Sequence, residues 1–174
     1  MVVVISGVAG VGKTTIGQLL AHELSWNFYD GDDFHPPDNI DKMHNGIPLT
    51  DEDRQPWLAR LRELIDSCLG AQQNAILTCS ALKKKYRDYL RVSDDVKLVF
   101  LHGDFSLVAQ RLTARTGHFF EPELLRSQFA DLEEPQPSEG VVLLDIDRPP
   151  TAVVEEIRAR FRLQSRRFKS KEEQ

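Results

Sequence analysis

The sequence predicts an α/β fold in which a five-stranded parallel sheet is flanked by helices. Short apolar runs, rich in β-branched and aromatic residues, alternate along the chain with longer amphipathic stretches, and this alternation is typical of repeated strand–helix–strand units. A glycine-rich segment separates the first apolar run from the first amphipathic stretch. The chain has 174 residues, which is the size of one domain, so one fold must carry the whole activity.

Five short runs are the predicted strands because they combine high β-propensity with buried-strand hydrophobicity. They are residues 2–6, 27–29, 75–79, 97–101 and 141–146. Six stretches between and after them have helical periodicity, and the second follows a cap-like Thr-Asp-Glu-Asp segment at residues 50–53. These helices are predicted at residues 13–24, 54–68, 82–91, 105–116, 122–132 and 151–162. We therefore predict one domain over residues 1–162 and a basic, fraying tail over residues 163–174.

The composition excludes several classes of protein. Hydrophobic residues make up 41% and charged residues 28% of the chain, which is ordinary globular composition. The longest apolar runs fall far short of the roughly 20 residues of a membrane span, and the amino terminus lacks the features of an export signal. We expect a cytoplasmic protein without a membrane partner. Cys68 and Cys79 have no metal-binding spacing, so we expect two buried thiols.

The charge distribution limits how the protein can bind anions. The net charge is −5, and seven of the Arg and Lys residues lie between positions 158 and 171, so the rest of the chain is distinctly acidic. Anion binding must then depend on a few placed cations and on backbone N–H groups. We expect no nucleic-acid partner.

Residues 7–14 read Gly-Val-Ala-Gly-Val-Gly-Lys-Thr and fit the phosphate-binding pattern Gly-x-x-x-x-Gly-Lys-Ser/Thr between a strand and a helix. Glycines allow the backbone to approach phosphate oxygens, while successive N–H groups and a helix N-terminus attract the negative charge. Lys13 is expected at the β- and γ-phosphates of ATP, and the Thr14 hydroxyl at Mg²⁺. The predicted nucleotide-binding residues are Gly7, Val8, Ala9, Gly10, Val11, Gly12, Lys13, Thr14 and Thr15.

This loop alone does not choose among a GTPase, an ATPase and a small-molecule kinase. The sequence contains no Asn-Lys-x-Asp segment of the kind that reads guanine. The fourth apolar run is followed by His-Gly-Asp at residues 102–104 and lacks the acid directly after the run that a motor-type ATPase would carry. These absences favour a compact kinase.

The second predicted strand leads into Tyr-Asp-Gly-Asp-Asp-Phe-His-Pro at residues 29–36. Ligands of parallel sheets bind beyond the carboxyl ends of the strands, so these side chains are candidates for the site. Asp30 could hold Mg²⁺ beside Thr14, and Asp32 could accept a hydrogen bond from an attacking hydroxyl. On this segment alone, a solvated acidic turn explains the residues equally well.

Several longer blocks carry a resemblance to a known family. They are Asp-Gly-Asp-x-x-His-Pro at residues 30–36, the segment 39–58 with its Asp-x-Asp-Arg-x-Pro-Trp-Leu, Cys-Ser-Ala-Leu-Lys-Lys-x-Tyr-Arg-Asp at 79–88, Arg-x-Gly-His-Phe-Phe at 115–120, Gln-Phe-x-x-Leu-Glu-x-Pro at 128–135 and Asp-Ile-Asp at 145–147. Together they resemble the gluconate kinases of the shikimate-kinase-like P-loop group over about residues 3 to 160.

The resemblance implies a P-loop NTPase fold with strand order 2-3-1-4-5, a lid and a helical region that binds the substrate. It implies transfer of phosphate from ATP, with Mg²⁺, to the 6-hydroxyl of gluconate, and a homodimer. Two rival functions stay open: a kinase for another small acceptor, such as shikimate or a nucleoside monophosphate, and a nucleotide-binding regulatory module without turnover.

The family resemblance also implies roles for individual residues. Lys13, Asp32 and Arg115 are expected to be catalytic, and Arg111 to contact the nucleotide. The expected gluconate-binding residues are Asp32, His35, Arg54, Ser80, Lys83, Arg87 and His118. The planar fork of Arg54 suits the substrate carboxylate.

Alternatives remain for several of these residues. Arg54 could instead be a surface charge on its helix, although we favour the substrate role, and His35 and His118 could equally serve only to fix loops. Some of the cations after the third strand must face water. Trp57 is expected to pack in the acceptor region, where a buried indole N–H needs a partner.

Overall fold

The computed structural model describes residues 1–114 and 122–164. Its five strands are β1 (Val2–Ser6), β2 (Asn27–Asp30), β3 (Ala75–Thr78), β4 (Val96–His102) and β5 (Val142–Asp145). All neighbouring strands are parallel, and their order is β2-β3-β1-β4-β5. The predicted fold class and strand order are confirmed.

Seven α-helices and two short 3₁₀ turns surround the sheet in the described residues. The helices are α1 (Lys13–Leu24), α2 (Pro37–His44), α3 (Asp51–Gly70), α4 (Lys84–Leu90), α5 (Phe105–Thr113), α6 (Pro122–Asp131) and α7 (Pro150–Phe161), and the 3₁₀ turns are Gly31–Phe34 and Pro137–Glu139. None of the helices within residues 1–114 and 122–164 is both long and apolar enough to cross a membrane.

Several helices differ from the sequence prediction, and three of these differences have a local explanation. Helix α2 was not predicted; it has only eight residues, and Pro37 occupies its first position, where a proline suits a helix start. Helix α3 begins three residues early because Thr50 and Asp53 form a capping box, so the acidic residues belong to its first turn. Helix α4 begins two residues late, after Ala81 with its positive φ of 36°.

The sheet is buried on both faces, which explains why its strands read as continuous apolar runs. Successive side chains of β1 point to opposite faces: Val3 and Ile5 pack with residues of α1 and α7, whereas Val2 and Val4 pack with residues of α3 and α4. Both cysteines are free and buried, as predicted. Leu163, the first residue of the predicted tail, is buried in the core, and residues 165–174 lie outside the described part of the chain.

Candidate active site

The carboxyl ends of β1, β2 and β3 meet helix α6 around one open cavity of about 440 Å³. Such a position is where ligands of open parallel sheets bind. The cavity joins the glycine-rich loop to the acidic turn after β2 and to the start of α3. Its lining includes Lys13, Thr14, Asp32, His35, Arg54, Ser80 and Gln128.

The glycine-rich loop wraps one end of the cavity. Gly10 and Gly12 have φ of 84° and 95°, values at which any residue with a side chain is strained. Helix α1 begins directly at Lys13, so its N-terminus faces the loop, and the Lys13 ammonium donates a hydrogen bond to the carbonyl of Val8 at 2.9 Å. This geometry forms an anion-binding cradle with a cation at its rim.

The acidic turn after β2 places two carboxylates beside this cradle. The Thr14 hydroxyl donates to Asp30 Oδ2 at 2.9 Å, and the backbone N–H of Asp32 donates to Asp30 Oδ1 at 3.2 Å. Hydroxyl and carboxylate oxygens are the hard ligands that Mg²⁺ prefers, so Thr14 and Asp30 fit such an ion. The acidic turn is thus tied to the first helix and is not a detached solvated loop.

Asp32 has an environment suited to proton chemistry. Asp32 lines the cavity and remains exposed to solvent, but the protein atoms around its carboxylate partly desolvate it, and this raises its pKa above the ordinary value. The positive charge of Lys13 opposes this increase, while the negative charges of Asp30 and Asp33 reinforce it. A carboxylate with a raised pKa accepts hydrogen bonds and protons more readily at neutral pH.

His35 is held flat against Trp57. The two rings stack with centroids 4.6 Å apart and planes 7° apart, and the Trp57 indole donates to the carbonyl of Gly31 at 2.7 Å, as expected for a buried indole. Burial and the nearby Arg54 lower the pKa of His35 to about 4, so its imidazole is neutral at physiological pH.

The amide of Asn39 indicates which nitrogen of His35 carries the proton. Asn39 Nδ2 donates to the carbonyl of Asp53 at 2.8 Å and lies 3.3 Å from His35 Nδ1. An NH₂ group has two donors and no acceptor, so Nδ1 accepts and the proton resides on Nε2. His35, which lines the cavity, is therefore a neutral imidazole with its proton on Nε2.

Arg54 lies on the cavity wall and is not a surface charge. The residue is 8% exposed, and its Nη1 donates to Asp131 Oδ2 at 3.0 Å. Lys83 contacts the same carboxylate at 3.4 Å and bonds Asp51 at 3.0 Å. Arg54 is consequently the cation that best fits an acceptor's carboxylate. Lys83, which was predicted to bind the substrate, does not line the cavity, and we interpret it as a link between α3 and α6.

The structure corrects the role predicted for Arg87. The residue is 1% exposed, and its Nε and Nη2 atoms donate to the two carboxylate oxygens of Glu139 at 2.9 and 3.0 Å. Its Nη1 donates to the carbonyl of Leu82 at 2.8 Å. Nη1 also donates to the carbonyl of Ala81, so four of the five guanidinium N–H donors bond within the protein. Arg87 does not line the main cavity, and we therefore interpret it as a structural residue.

A smaller cavity of about 190 Å³ lies on the other side of the glycine-rich loop. Arg111 and Arg148 line it, and Arg111 Nη2 donates to the carbonyl of Ile146 at 2.7 Å. Flat guanidinium groups stack on planar rings, so this cavity suits a nucleotide base. Sequence reasoning missed Arg148, although its position just beyond the end of β5 was a usable signal.

One residue of the site had no predicted role, and two predicted residues lie outside the described part of the chain. Gln128 was quoted within a sequence block but given no role, yet its side chain accepts a hydrogen bond from the backbone N–H of Ala9 at 2.6 Å. Arg115 and His118, which were predicted to act on the phosphate and the substrate, lie outside the described residues.

Comparisons with known proteins agree with this geometry. The shikimate kinase family model matches residues 9–161. A gluconokinase of Gluconobacter oxydans (strain 621H) is 46% identical over 160 residues, which cover 91% of this chain and 89% of the relative.

Two solved structures are also similar. An unliganded sugar kinase from Janibacter sp. HTCC2649 superimposes with a TM-score of 0.87 at 43% identity, covering 93% of this chain and 94% of the other. A gluconokinase from Sinorhizobium meliloti 1021 gives a TM-score of 0.81 at 43% identity, with 90% and 89% covered.

Proposed function

The chain belongs to the gluconokinases of the shikimate kinase family, and on this premise we propose that it transfers the γ-phosphate of ATP to the 6-hydroxyl of gluconate. The observation that carries the proposal is the single cavity in which the phosphate-binding loop faces Asp32 and Arg54. One end binds polyphosphate, the other binds a carboxylate, and an aspartate with a raised pKa lies between them. A sugar acid is the acceptor that uses all three.

The proposed roles follow from the positions of the side chains. Backbone N–H groups of residues 7–14 and the ammonium of Lys13 would hold the phosphates. Arg54 would bind the gluconate carboxylate, and the neutral Nε2–H of His35 would donate to one of its hydroxyls. Ser80, on the same wall, would add a further hydrogen bond to the substrate.

The phosphoryl transfer requires little covalent assistance from the protein. An oxygen–phosphorus bond forms from the 6-hydroxyl, the bond between the γ-phosphorus and the β,γ-bridging oxygen breaks, and ADP leaves. Asp32 would orient the hydroxyl and accept its proton as the new bond forms. Charge on the phosphate oxygens would be offset by Mg²⁺ when it is bound, with Thr14 and Asp30 holding the ion.

The nucleotide base would occupy the smaller cavity between Arg111 and Arg148. We retain Arg115 as the proposed cation for the transferring phosphate and His118 as a proposed substrate contact, on the family resemblance. On the same resemblance we propose a homodimer, and we also propose a cytoplasmic location. Size-exclusion chromatography with light scattering tests the dimer.

An ADP-release assay with a panel of acceptors tests the proposed reaction. We expect gluconate, or a close aldonate, to accelerate ADP formation, and shikimate and AMP to leave it at the rate seen without acceptor. Equal activity on shikimate or AMP would overturn the substrate assignment. Nucleotide binding without turnover on any acceptor would favour the regulatory module instead.

A further inference from the structure

Helix α6 reaches into the phosphate-binding loop with one side chain. Gln128 Oε1 accepts the backbone N–H of Ala9 at 2.6 Å, and both residues line the main cavity. Ala9 is the third residue of the glycine-rich loop, whose N–H groups form the anion cradle. A side-chain oxygen therefore already occupies one backbone N–H donor of this loop.

The position of Gln128 is fixed because ion pairs hold the carboxyl end of α6. Asp131, three residues after Gln128 and on the same side of the helix, pairs with the buried Arg54 at 3.0 Å and with Lys83 at 3.4 Å. Gln128 is itself only partly exposed. These ion pairs fix the end of α6 that carries Gln128, whose amide contacts Ala9, 119 positions away in the sequence.

We propose that Gln128 is an internal ligand of the phosphate-binding loop, which holds the Ala9 N–H in the absence of nucleotide and is displaced by a phosphate oxygen. The inference rests on the proposed function, since it assumes that the loop binds a nucleotide. Its physical basis is that one N–H donor makes one strong hydrogen bond. The amide oxygen and a phosphate oxygen must consequently compete for it.

The competition has a predictable size and direction. A neutral hydrogen bond contributes a modest net stability, so removing it should tighten nucleotide binding by about two- to tenfold. The contact exists only in the nucleotide-free protein. Its loss should therefore lower the melting temperature of the free protein and leave that of the ADP-saturated protein almost unchanged.

Three substitutions of Gln128 distinguish the effect of its side-chain length from the effect of its side-chain charge. Gln128→Ala removes the amide, and Gln128→Asn keeps it on a side chain one methylene shorter, which cannot span the same gap from α6. Both should tighten the Kd for ADP and for a nonhydrolysable ATP analogue. Gln128→Glu places a carboxylate against the same N–H, in the cavity that Lys13 also lines. It should weaken nucleotide binding by about tenfold or more, because charged hydrogen bonds are stronger.

Arg126→Ala is the matched control on the same helix, because Arg126 pairs with Glu123 on the exposed face. Isothermal titration calorimetry on the full chain measures each Kd. Weaker ADP binding by Gln128→Ala would overturn the inference, since Gln128 would then be a contact of the bound nucleotide; an unchanged Kd in both the Ala and Asn variants would overturn it too. Failure of the proposed function is a different result, in which the wild-type protein binds no nucleotide.

Discussion

Replacing Glu139 by glutamine should destabilise the protein strongly while leaving its substrate binding intact. The change leaves the Arg87 guanidinium charged but without a carboxylate partner, at a site where the side chains of Arg87 and Glu139 are only 1% and 2% exposed. Breaking a buried pair by removing one partner typically costs about 3–5 kcal/mol, because the remaining charge is buried without compensation. One oxygen of the glutamine can still accept from Arg87, so we expect about 3 kcal/mol.

This loss converts into a measurable change in melting temperature. In a chain of this size 1 kcal/mol corresponds to roughly 2–4 °C, so Glu139→Gln should melt about 6–12 °C below the wild type. Lys84→Met is the matched control, because Lys84 and Asp88 form an exposed pair and such pairs contribute about 0–1 kcal/mol.

The pH dependence gives the same prediction a second readout. Hydrogen bonds from Arg87 hold the pKa of Glu139 below its ordinary value in the folded protein. The stabilisation is therefore fully present above the unfolded carboxyl pKa and is lost as the pH falls through the folded one. The difference in stability between the wild type and Glu139→Gln should shrink in acid.

Urea unfolding and steady-state kinetics together complete the test. The double variant Arg87→Met/Glu139→Gln should cost less than the sum of the single changes, since neither charge is then left alone. The KM for gluconate should stay within about twofold in Glu139→Gln. A stable Arg87→Met variant with a strongly raised KM would refute the structural role and restore the substrate contact inferred from the sequence.

Three other substitutions probe the site and its frame. Asp32→Asn should lower kcat by about 10²–10⁴-fold with little change in ATP affinity, because it removes the proton acceptor and leaves the phosphate loop intact. The wild type should lose up to about 3 kcal/mol of folding stability between pH 7 and pH 4, because unfolded histidine takes up its proton near pH 6.5 and the folded His35 only near pH 4. The His35→Gln variant should not show this loss. Gly31→Ala should lower the free energy of unfolding by about 1–3 kcal/mol, because the new Cβ would lie 2.4 Å from the carbonyl oxygen of Thr78. Gly70→Ala is the matched control, since a Cβ at Gly70 would have no neighbouring atom within 4 Å.

Each of these has a clear contrary outcome. Near-normal turnover of Asp32→Asn, measured by ADP release, would remove Asp32 from the chemistry. Parallel stability–pH curves for the wild type and His35→Gln would show that the imidazole titrates normally in the folded protein. Equal melting temperatures for the alanine variants of Gly31 and Gly70 would mean that the turn after β2 has room for a side chain.

The sequence predicted what local interactions determine. Strand β1 and helix α1 begin and end where expected, because a continuous apolar run, a glycine-rich turn and helical periodicity follow one another without competing signals. The alternation of strands and helices predicted a parallel sheet, and the family resemblance predicted the order of its strands. The carboxyl ends of those strands then located the candidate site.

The sequence could not predict the partners of long side chains. Arg87 and Glu139 are 52 positions apart and Arg54 and Asp131 are 77 apart, so nothing in the local pattern distinguished a buried structural arginine from one that faces the cavity. The contact between Gln128 and Ala9, which are 119 positions apart, could not be predicted for the same reason. Helix α2 was not predicted either, since eight residues are too few to give a clear helical periodicity.

The most direct test of the proposed reaction is the position of the phosphate in the product. Gluconate, ATP, Mg²⁺ and the protein should give one phosphorylated product, and two-dimensional ³¹P–¹H NMR should correlate its phosphorus with the two protons on carbon 6. A correlation to any other carbon-bound proton, or release of inorganic phosphate alone, would contradict the placement of the 6-hydroxyl between Asp32 and the phosphate-binding loop.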